Sequence, residues 1–151
     1  MMRRSLWFVL GFSLAACNEN ILLHSYKPLP IEGWDRRDTI CFDLPQTQEN
    51  INGILTIGLR TTANIGTRDV VLAVEQCNEN MIVCRCDTVR YPLTDAEGYA
   101  LSKGVNCHQY ETKHLPLQIK KGQNHSIRIH HLMSNETFTG ITEVGIKIER
   151  R

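Results

Sequence analysis

The sequence lacks the short motifs that mark the commonest enzyme active sites. It contains no G-x-S-x-G, H-E-x-x-H, P-loop or G-x-G-x-x-G segment, each of which places a nucleophile, a metal or a phosphate in a defined turn or helix. The chain also has no excess of charge of one sign, because it contains 17 basic and 16 acidic residues. A near-neutral chain has no electrostatic reason to bind nucleic acid. We therefore predict neither an enzyme, nor a bound cofactor or metal, nor a nucleic-acid partner.

Long apolar runs are lacking too, with one exception at the start of the chain. After residue 17 no stretch approaches the ~20 apolar residues that a membrane helix needs, so we expect residues 18–151 to be soluble. The exception begins at Leu6, directly after Arg3 and Arg4. A basic start, an apolar stretch of about a dozen residues and small residues at its end form an export signal. Removal of this leader leaves 15 basic and 16 acidic residues, a net charge of −1.

The leader ends in Leu14-Ala15-Ala16-Cys17, which matches the bacterial lipobox at all four positions. The thiol of Cys17 is the side chain nucleophilic enough to accept diacylglycerol through a thioether. Cleavage by an ordinary peptidase at Ser13-Leu14-Ala15 is the competing interpretation. We predict that residues 1–16 are a lipoprotein signal peptide and that Cys17 is lipidated. Asn18 is not the Asp that retains some lipoproteins in the inner membrane, which favours the outer membrane.

Residues 34–151 read as one all-β domain. Residues 17–33 contain Pro28 and Pro30 and no visible period, which indicates a lipidated tether. Alternating apolar and polar residues, typical of half-buried strands, follow in several segments. About seven strands separated by turns and no long helix predict an antiparallel two-sheet sandwich. The predicted strand segments are residues 40–44, 55–60, 69–76, 81–91, 115–119, 125–132 and 141–150.

The body of the protein has five cysteines: Cys41, Cys77, Cys84, Cys86 and Cys107. An odd number leaves at least one unpaired or paired between chains. They can be small apolar residues on strands, or one or two disulfides of unassigned connectivity. A metal site is disfavoured, because the C-x-C pair lacks the C-x-x-C turn that directs two thiolates at one ion.

The stretch Gly33-Trp34-Asp35-Arg36 is the most individual part of the body. Trp34 is the only Trp after the leader, and it can serve either as a lid on the core or as an exposed recognition aromatic. Asp35 and Arg36 can pair locally or face a partner. We name Trp34, Asp35 and Arg36 as candidate partner-binding residues.

Three segments together resemble one family, the gliding motility-associated lipoprotein GldH. They are "GWDRRDTICFDL" (residues 33–44), "DTVRYPLTDAEGYALSKG" (residues 87–104) and "GITEVGIKIER" (residues 140–150). Their order after a lipobox is similar to that of the family. The five body cysteines and residues 45–80 depart from the family's pattern.

The resemblance implies a cell-envelope lipoprotein of Gram-negative bacteria, without known catalytic activity. It also implies a structural or interaction role in a gliding or surface-secretion assembly, with envelope proteins as partners. Only Cys17, as the lipid site, transfers from the family. The alternative function is a surface lipoprotein that binds carbohydrate or another nutrient, which would use exposed aromatics such as Trp34 or Tyr99.

Two triplets resemble the Asp-Ser/Thr-apolar pattern that is O-glycosylated in such bacteria. They are Asp38-Thr39-Ile40 and Asp87-Thr88-Val89. Threonine also favours strands for steric reasons alone. Thr39 and Thr88 are therefore candidate O-glycosylation sites, with ordinary strand threonines as the alternative.

Overall fold

Eleven β-strands make up the part of the chain that the structure describes. A computed structural model describes residues 20–63, 65–102, 104, 107–112 and 114–151; the predicted leader and Cys17 lie outside this part. The strands are β1 (Ile21–Pro28), β2 (Trp34–Asp35), β3 (Ile40–Leu44), β4 (Ile51–Thr62), β5 (Asp69–Cys77), β6 (Val83–Pro92), β7 (Cys107–Glu111), β8 (Leu115–Ile119), β9 (His125–His131), β10 (Thr137–Phe138) and β11 (Ile141–Arg150). The described residues include no helix with the length and apolarity to cross a membrane.

The strands form two antiparallel sheets and one small pair. The first sheet has the order β1-β11-β4, and β7 and β8 lie one after the other along the far side of β4. The second sheet has the order β3-β9-β5-β6, and β2 pairs with β10. This confirms the predicted all-β antiparallel sandwich. The predicted number of strands was too low, because β1, β2, β7 and β10 were missed.

The core lies between the two sheets and follows the alternation of the strands. Its fully buried side chains include Leu55, Ile57 and Leu59 of β4, Leu72 and Val74 of β5, and Ile127 and Ile129 of β9. Burial of one such side chain contributes roughly 1.5–3 kcal/mol. The segments that alternated most clearly in the sequence are therefore the ones that form the centre of the sandwich.

The outer face of the first sheet has a stacked aromatic that fixes β1. Tyr26 of β1, Gly145 of β11 and Gly58 of β4 lie in one row across the sheet. A Cβ atom on Gly145 would lie 2.5 Å from the Tyr26 ring, and one on Gly58 would lie 2.2 Å from its hydroxyl. The guanidinium of Arg60 lies 4.0 Å from the centre of the same ring, a cation–π contact. The two glycines thus provide the space that the Tyr26 ring fills.

The tether predicted for residues 17–33 is corrected by this arrangement. Ile21–Pro28 pairs with β11 along its length, so the folded domain begins at Ile21 and not at Trp34. The segment showed no period because β1 is an edge strand whose two faces are both partly exposed. Leu22 and Leu23 both pack against the core, which removes the alternation that marks a half-buried strand.

The sandwich has two ends, which we name after residues at each. At the Ile21 end, β1 begins beside the end of β11, where Arg150 N–H donates to Asn20 O at 2.7 Å. The β8–β9 turn lies at this same end, because Gly53 pairs with Arg150 and Ile51 pairs with Ile119. The β5–β6 turn lies there too, because Cys77 pairs with Ser126.

At the Trp34 end, the opposite ends of the same strands meet the β2–β10 pair. Thr62 N–H at the end of β4 donates to Gly140 O at 2.8 Å, and Leu132 N–H donates to Val71 O at 2.8 Å. The start of β11 and the end of β9 are thereby joined to this end.

Candidate interaction surfaces

Trp34 closes its end of the sandwich from inside. The residue is 1% exposed, and its indole Nε1–H donates to Asp38 O at 3.0 Å. Pairing of Trp34 with Phe138 places the ring over the end of the core. The lid interpretation therefore fits the structure, and the ring is not accessible to a partner or a sugar. Tyr99, the other aromatic of the carbohydrate alternative, is 72% exposed.

His131 contacts Trp34 through one ring nitrogen and is held in place through the other. Its Nε2–H donates to Trp34 O at 3.0 Å, and its Nδ1 accepts the Met133 N–H at 3.3 Å. The two rings meet edge to face, with centroids 5.4 Å apart. Burial lowers the pKa of His131 below its ordinary value, so the neutral imidazole is the form that fits. His131 is fully buried and His130 partly exposed, as expected for neighbours on opposite faces of a strand.

Asp35 and Arg36 lie on the surface over this lid. Arg37 holds the carboxylate of Asp35 through its backbone N–H at 2.8 Å and its guanidinium Nη2 at 2.9 Å. The side-chain hydrogen bond from Arg37 is the main reason that the pKa of Asp35 falls to about 2. Arg36 N–H donates to Glu136 O at 2.7 Å, and its guanidinium contacts Met133 O. The two predicted residues thus form a fixed, charged surface beside the exposed side chain of Leu132.

The cavity at the Trp34 end is lined by Arg36, His130, His131 and Leu132, whereas the Ile21 end is open between the two sheets. A cavity of about 450 Å³ enters between the sheets there, with Cys77, Leu117 and Ile127 among its lining residues. His125 at its rim has a lowered pKa, chiefly because of burial, while a hydrogen bond with the Cys77 backbone acts in the opposite direction. Since Nε2 of His125 also accepts the Lys120 N–H at 3.1 Å, this histidine is occupied by backbone groups.

The β5–β6 turn projects from the Ile21 end with apolar side chains exposed. Met81, Ile82 and Val83 are 55%, 59% and 42% exposed. Oδ1 of Asn78 accepts the N–H groups of Asn80 and Ile82, both at 3.0 Å. Met81 adopts a φ of 59°, the left-handed conformation that is uncommon outside glycine. The hydrogen bonds to Asn78 therefore hold the tip in a defined, apolar shape.

A groove of about 660 Å³ opens between the free edges of the two sheets, between β6 and the β7–β8 edge. Three hydrogen bonds join Ile57 to residues that line the groove. Thr112 N–H and Tyr91 O–H both donate to Ile57 O at 2.9 Å, and Ile57 N–H donates to Thr112 Oγ1 at 3.0 Å. Burial raises the pKa of Tyr91 well above its usual value. The floor of the groove is thus a neutral, fully hydrogen-bonded junction of the two sheets.

The five body cysteines all lie on strands, as the first interpretation predicted. All five are free thiols. Cys77 is buried and Cys41 partly buried, whereas Cys84, Cys86 and Cys107 are exposed. Across the described ranges, no group of three or more His, Cys, Asp or Glu side chains is arranged to hold a metal ion.

The two candidate O-glycosylation sites differ in accessibility. Thr88 is exposed on β6, the edge strand of the second sheet. Thr39 is partly buried just before β3, and its carbonyl oxygen accepts a weak hydrogen bond from Cys41 Sγ at 3.9 Å. Thr88 is thus the more accessible acceptor of the two.

Sequence reasoning missed several residues that define these surfaces. Tyr91 shares the parity of Val89 in an alternating segment, so its inward direction could have been inferred. The bond of Thr112 to Ile57 has no local signal, because it depends on the interruption between β7 and β8. Met81 and Ile82 were predicted as the start of the strand segment 81–91, whereas they precede β6 and are exposed.

These observations define the class of the protein as an antiparallel β-sandwich domain that presents open surfaces at one end and along one side. The chain belongs to the GldH lipoprotein family, whose family model matches residues 21–148. The match begins at the first residue of β1 and extends into β11, so it covers both sheets. It confirms the family predicted from the sequence, and membership in a lipoprotein family associates the protein with the cell envelope.

Similarity to proteins outside the family is low. No curated protein matches the chain. Among solved structures, the Cry4Aa toxin of Bacillus thuringiensis matches with 11% identity and a TM-score of 0.45, over 78% of this chain and 18% of the toxin. A CocE/NonD family hydrolase of Staphylococcus aureus matches with 7% identity and a TM-score of 0.41, over 87% of this chain and 33% of the hydrolase. The chain thus spans a third or less of these proteins, and similarity this low carries no argument about function.

Proposed function

We propose that the protein is a lipid-anchored, non-catalytic component of an envelope assembly for gliding or surface secretion in a Gram-negative bacterium. The observation that carries the proposal is the family match over residues 21–148, which follows directly on a lipobox ending at Cys17. The protein would act by position: the acylated Cys17 fixes it to a membrane, and its surfaces bind partners there. Asn18 supports the outer membrane as that membrane.

The start of β1 at Ile21 makes the proposed anchor very short. Only residues 18–20 separate Cys17 from the first strand. Four residue steps span at most about 14 Å when fully extended, so the Ile21 end would lie next to the lipid headgroups. The Trp34 end, with Asp35 and Arg36, would then face away from the membrane and toward partner proteins.

Crosslinking in native membranes tests the assembly role. A crosslinker placed at Arg36 should join the protein to one or a few envelope proteins. The matched control is Arg68, also exposed and at the same end, because Leu93 N–H donates to Arg68 O. A protein that is recovered from membranes alone and runs as a monomer would contradict the proposal.

Replacement of the lipid site tests the anchor separately. Cys17→Ser, behind a leader that the ordinary signal peptidase cuts, should fold normally and leave the membrane fraction, because two acyl chains provide the stable attachment. Cys107→Ser, which removes an exposed thiol of the body, should stay membrane-bound. Retention of the Cys17→Ser protein in washed membranes would show that the lipobox interpretation is wrong.

O-glycosylation at Thr88 or Thr39 is a further part of the proposal. Intact-mass measurement of the native mature protein should show hexose-type additions, with Thr88 favoured by its exposure. A native mass equal to that of the lipidated chain alone would exclude both sites.

A further inference from the structure

We infer that the Ile21 end is a membrane-contacting face, in which the apolar β5–β6 tip enters the lipid headgroup region and neighbouring cations meet anionic lipid phosphates. The inference rests on the proposed lipidation of Cys17 and goes beyond it, because it assigns the orientation of the domain and the residues that touch lipid. The occupant of this face is the bilayer surface itself.

The apolar part of the face is the tip formed by Met81, Ile82 and Val83. Three consecutive side chains that are each about half exposed are unusual for a surface turn, since exposed apolar clusters mark contact sites. The turn keeps a defined conformation although its side chains are exposed, because Asn78 Oδ1 accepts hydrogen bonds from two N–H groups of the turn. A rigid turn with apolar side chains outward is suited to insertion at a membrane interface.

The cationic part of the face follows the ends of β8 and β11. Lys120, Lys121 and Arg151 are exposed, and none of them has an ion-pair partner among the described residues. Backbone bonds fix their positions: Lys121 N–H donates to Asn50 Oδ1 at 2.9 Å, and Arg151 N–H donates to Asn52 O at 3.1 Å.

The balance of charge at this face favours anionic lipid. Arg150 is neutralised by Glu49 at 2.6 Å, and Glu79 is an exposed acid within the apolar turn. Three cations without an ion pair thus stand against two exposed acids without one at this end, Glu79 and Asp43, the latter opposite Ser126. Basic residues near an anionic membrane surface are attracted to it.

The position of the anchor selects lipid over a protein as the occupant. Cys17 is at most about 14 Å from Ile21, so an acylated Cys17 holds this end, and not the Trp34 end, against the bilayer. A protein partner would have to enter between the domain and its own membrane. The apolar tip and the unpaired cations lie at the end that the short anchor holds against the headgroups.

Fluorescence quenching by brominated lipid chains tests the inference. The full-length lipidated protein carries either Ile82→Trp at the tip or Leu132→Trp at the Trp34 end, two exposed positions. Vesicles contain brominated phosphatidylethanolamine and phosphatidylglycerol. We expect loss of Ile82→Trp fluorescence beyond that of the unaltered protein, whose Trp34 is buried, and no added loss for Leu132→Trp.

A charge reversal tests the cationic part in these vesicles and in vesicles of brominated phosphatidylcholine alone. Lys121→Glu should reduce the quenching of Ile82→Trp when phosphatidylglycerol is present and have no effect in pure phosphatidylcholine. Arg68→Glu at the Trp34 end is the matched control and should have no effect in either.

The outcomes separate the two proposals. A protein that sediments with vesicles but shows equal or no quenching at the two Trp positions overturns the membrane face and leaves the anchor intact. A protein that does not sediment with vesicles overturns the anchor and, with it, this inference. Equal effects of Lys121→Glu and Arg68→Glu overturn the role of the cations.

Discussion

The two ends of this sandwich are built from the same strands but differ in how completely the core is covered. At the Trp34 end, two-residue strands, a buried indole and a fully buried histidine seal the core. At the Ile21 end the sheets part around an open cavity, and apolar side chains of the β5–β6 turn remain exposed. Exposed apolar side chains also occur at the Trp34 end, where Ile31 is 98% and Leu132 46% exposed. The two ends therefore differ in the sealed core of one and in the three consecutive exposed apolar residues of the other. Substitutions at the two ends should therefore affect different properties.

The largest expected effect is on the stability of the closed end. Trp34→Ala should lower the free energy of unfolding by about 3–5 kcal/mol, because it empties a fully buried aromatic site. Trp34→Phe should lose less, since it keeps a ring but not the donor to Asp38 O. Denaturant unfolding curves measure both losses, provided that the dependence of the unfolding free energy on denaturant concentration is unchanged. A loss below about 1 kcal/mol for Trp34→Ala would mean that the indole is not part of the closure.

A smaller effect is expected from pH, and it should differ between the ends. Burial lowers the pKa of both His131 and His125 below 6.5, so the unfolded chain binds these protons more readily than the folded one. Stability should thus be full above pH 6.5 and fall as the pH drops below it. His131→Gln should remove more of this decrease between pH 7.5 and 5 than His125→Gln, because His131 is fully buried and His125 only half-buried. The reverse ranking, read from unfolding curves at each pH, would refute the contrast.

The smallest effect on stability is expected at the open end. Ile82→Ser should change the free energy of unfolding by less than about 0.5 kcal/mol, as exposed substitutions usually do. Leu132→Ser is the matched exposed position at the other end. A loss above about 1 kcal/mol for Ile82→Ser alone would show that the tip packs within the domain and is not free for contact.

The sequence predicted the centre of the fold well and its edges poorly. The strands around the core, such as β5 and β11, are half- or fully buried, and their alternation is a local property of the chain. The position of β1 depends instead on Tyr26 meeting Gly58 and Gly145, which lie far away along the chain. The paired strands β2 and β10 are each two residues long, which is too short to show an alternation of apolar and polar residues. The alternation of apolar and polar residues therefore does not predict strands whose position depends on pairing with distant segments.

The surfaces were predicted in part. Trp34 drew attention as a single tryptophan before a strand, and its burial favours the lid among the two interpretations offered. His131 shares the strand parity of Ile127 and Ile129, which does not by itself predict full burial of a polar ring. It is fully buried because Trp34 O and Met133 N–H satisfy both ring nitrogens. Such partners come from other segments of the chain, so burial of a polar ring cannot be inferred from strand parity alone.

The place of β11 in the sheet has a consequence for biosynthesis. It is the last strand of the chain, and it lies between β1 and β4, so the first sheet cannot close until residues 141–150 are available. On the proposed export route, the chain would reach the translocation channel before its fold could be completed and would remain threadable through it. The same order leaves the proposed acylation of Cys17 to occur on a chain whose neighbouring strand is still unpaired. Lipid attachment, folding and placement at the membrane surface would then follow in that sequence.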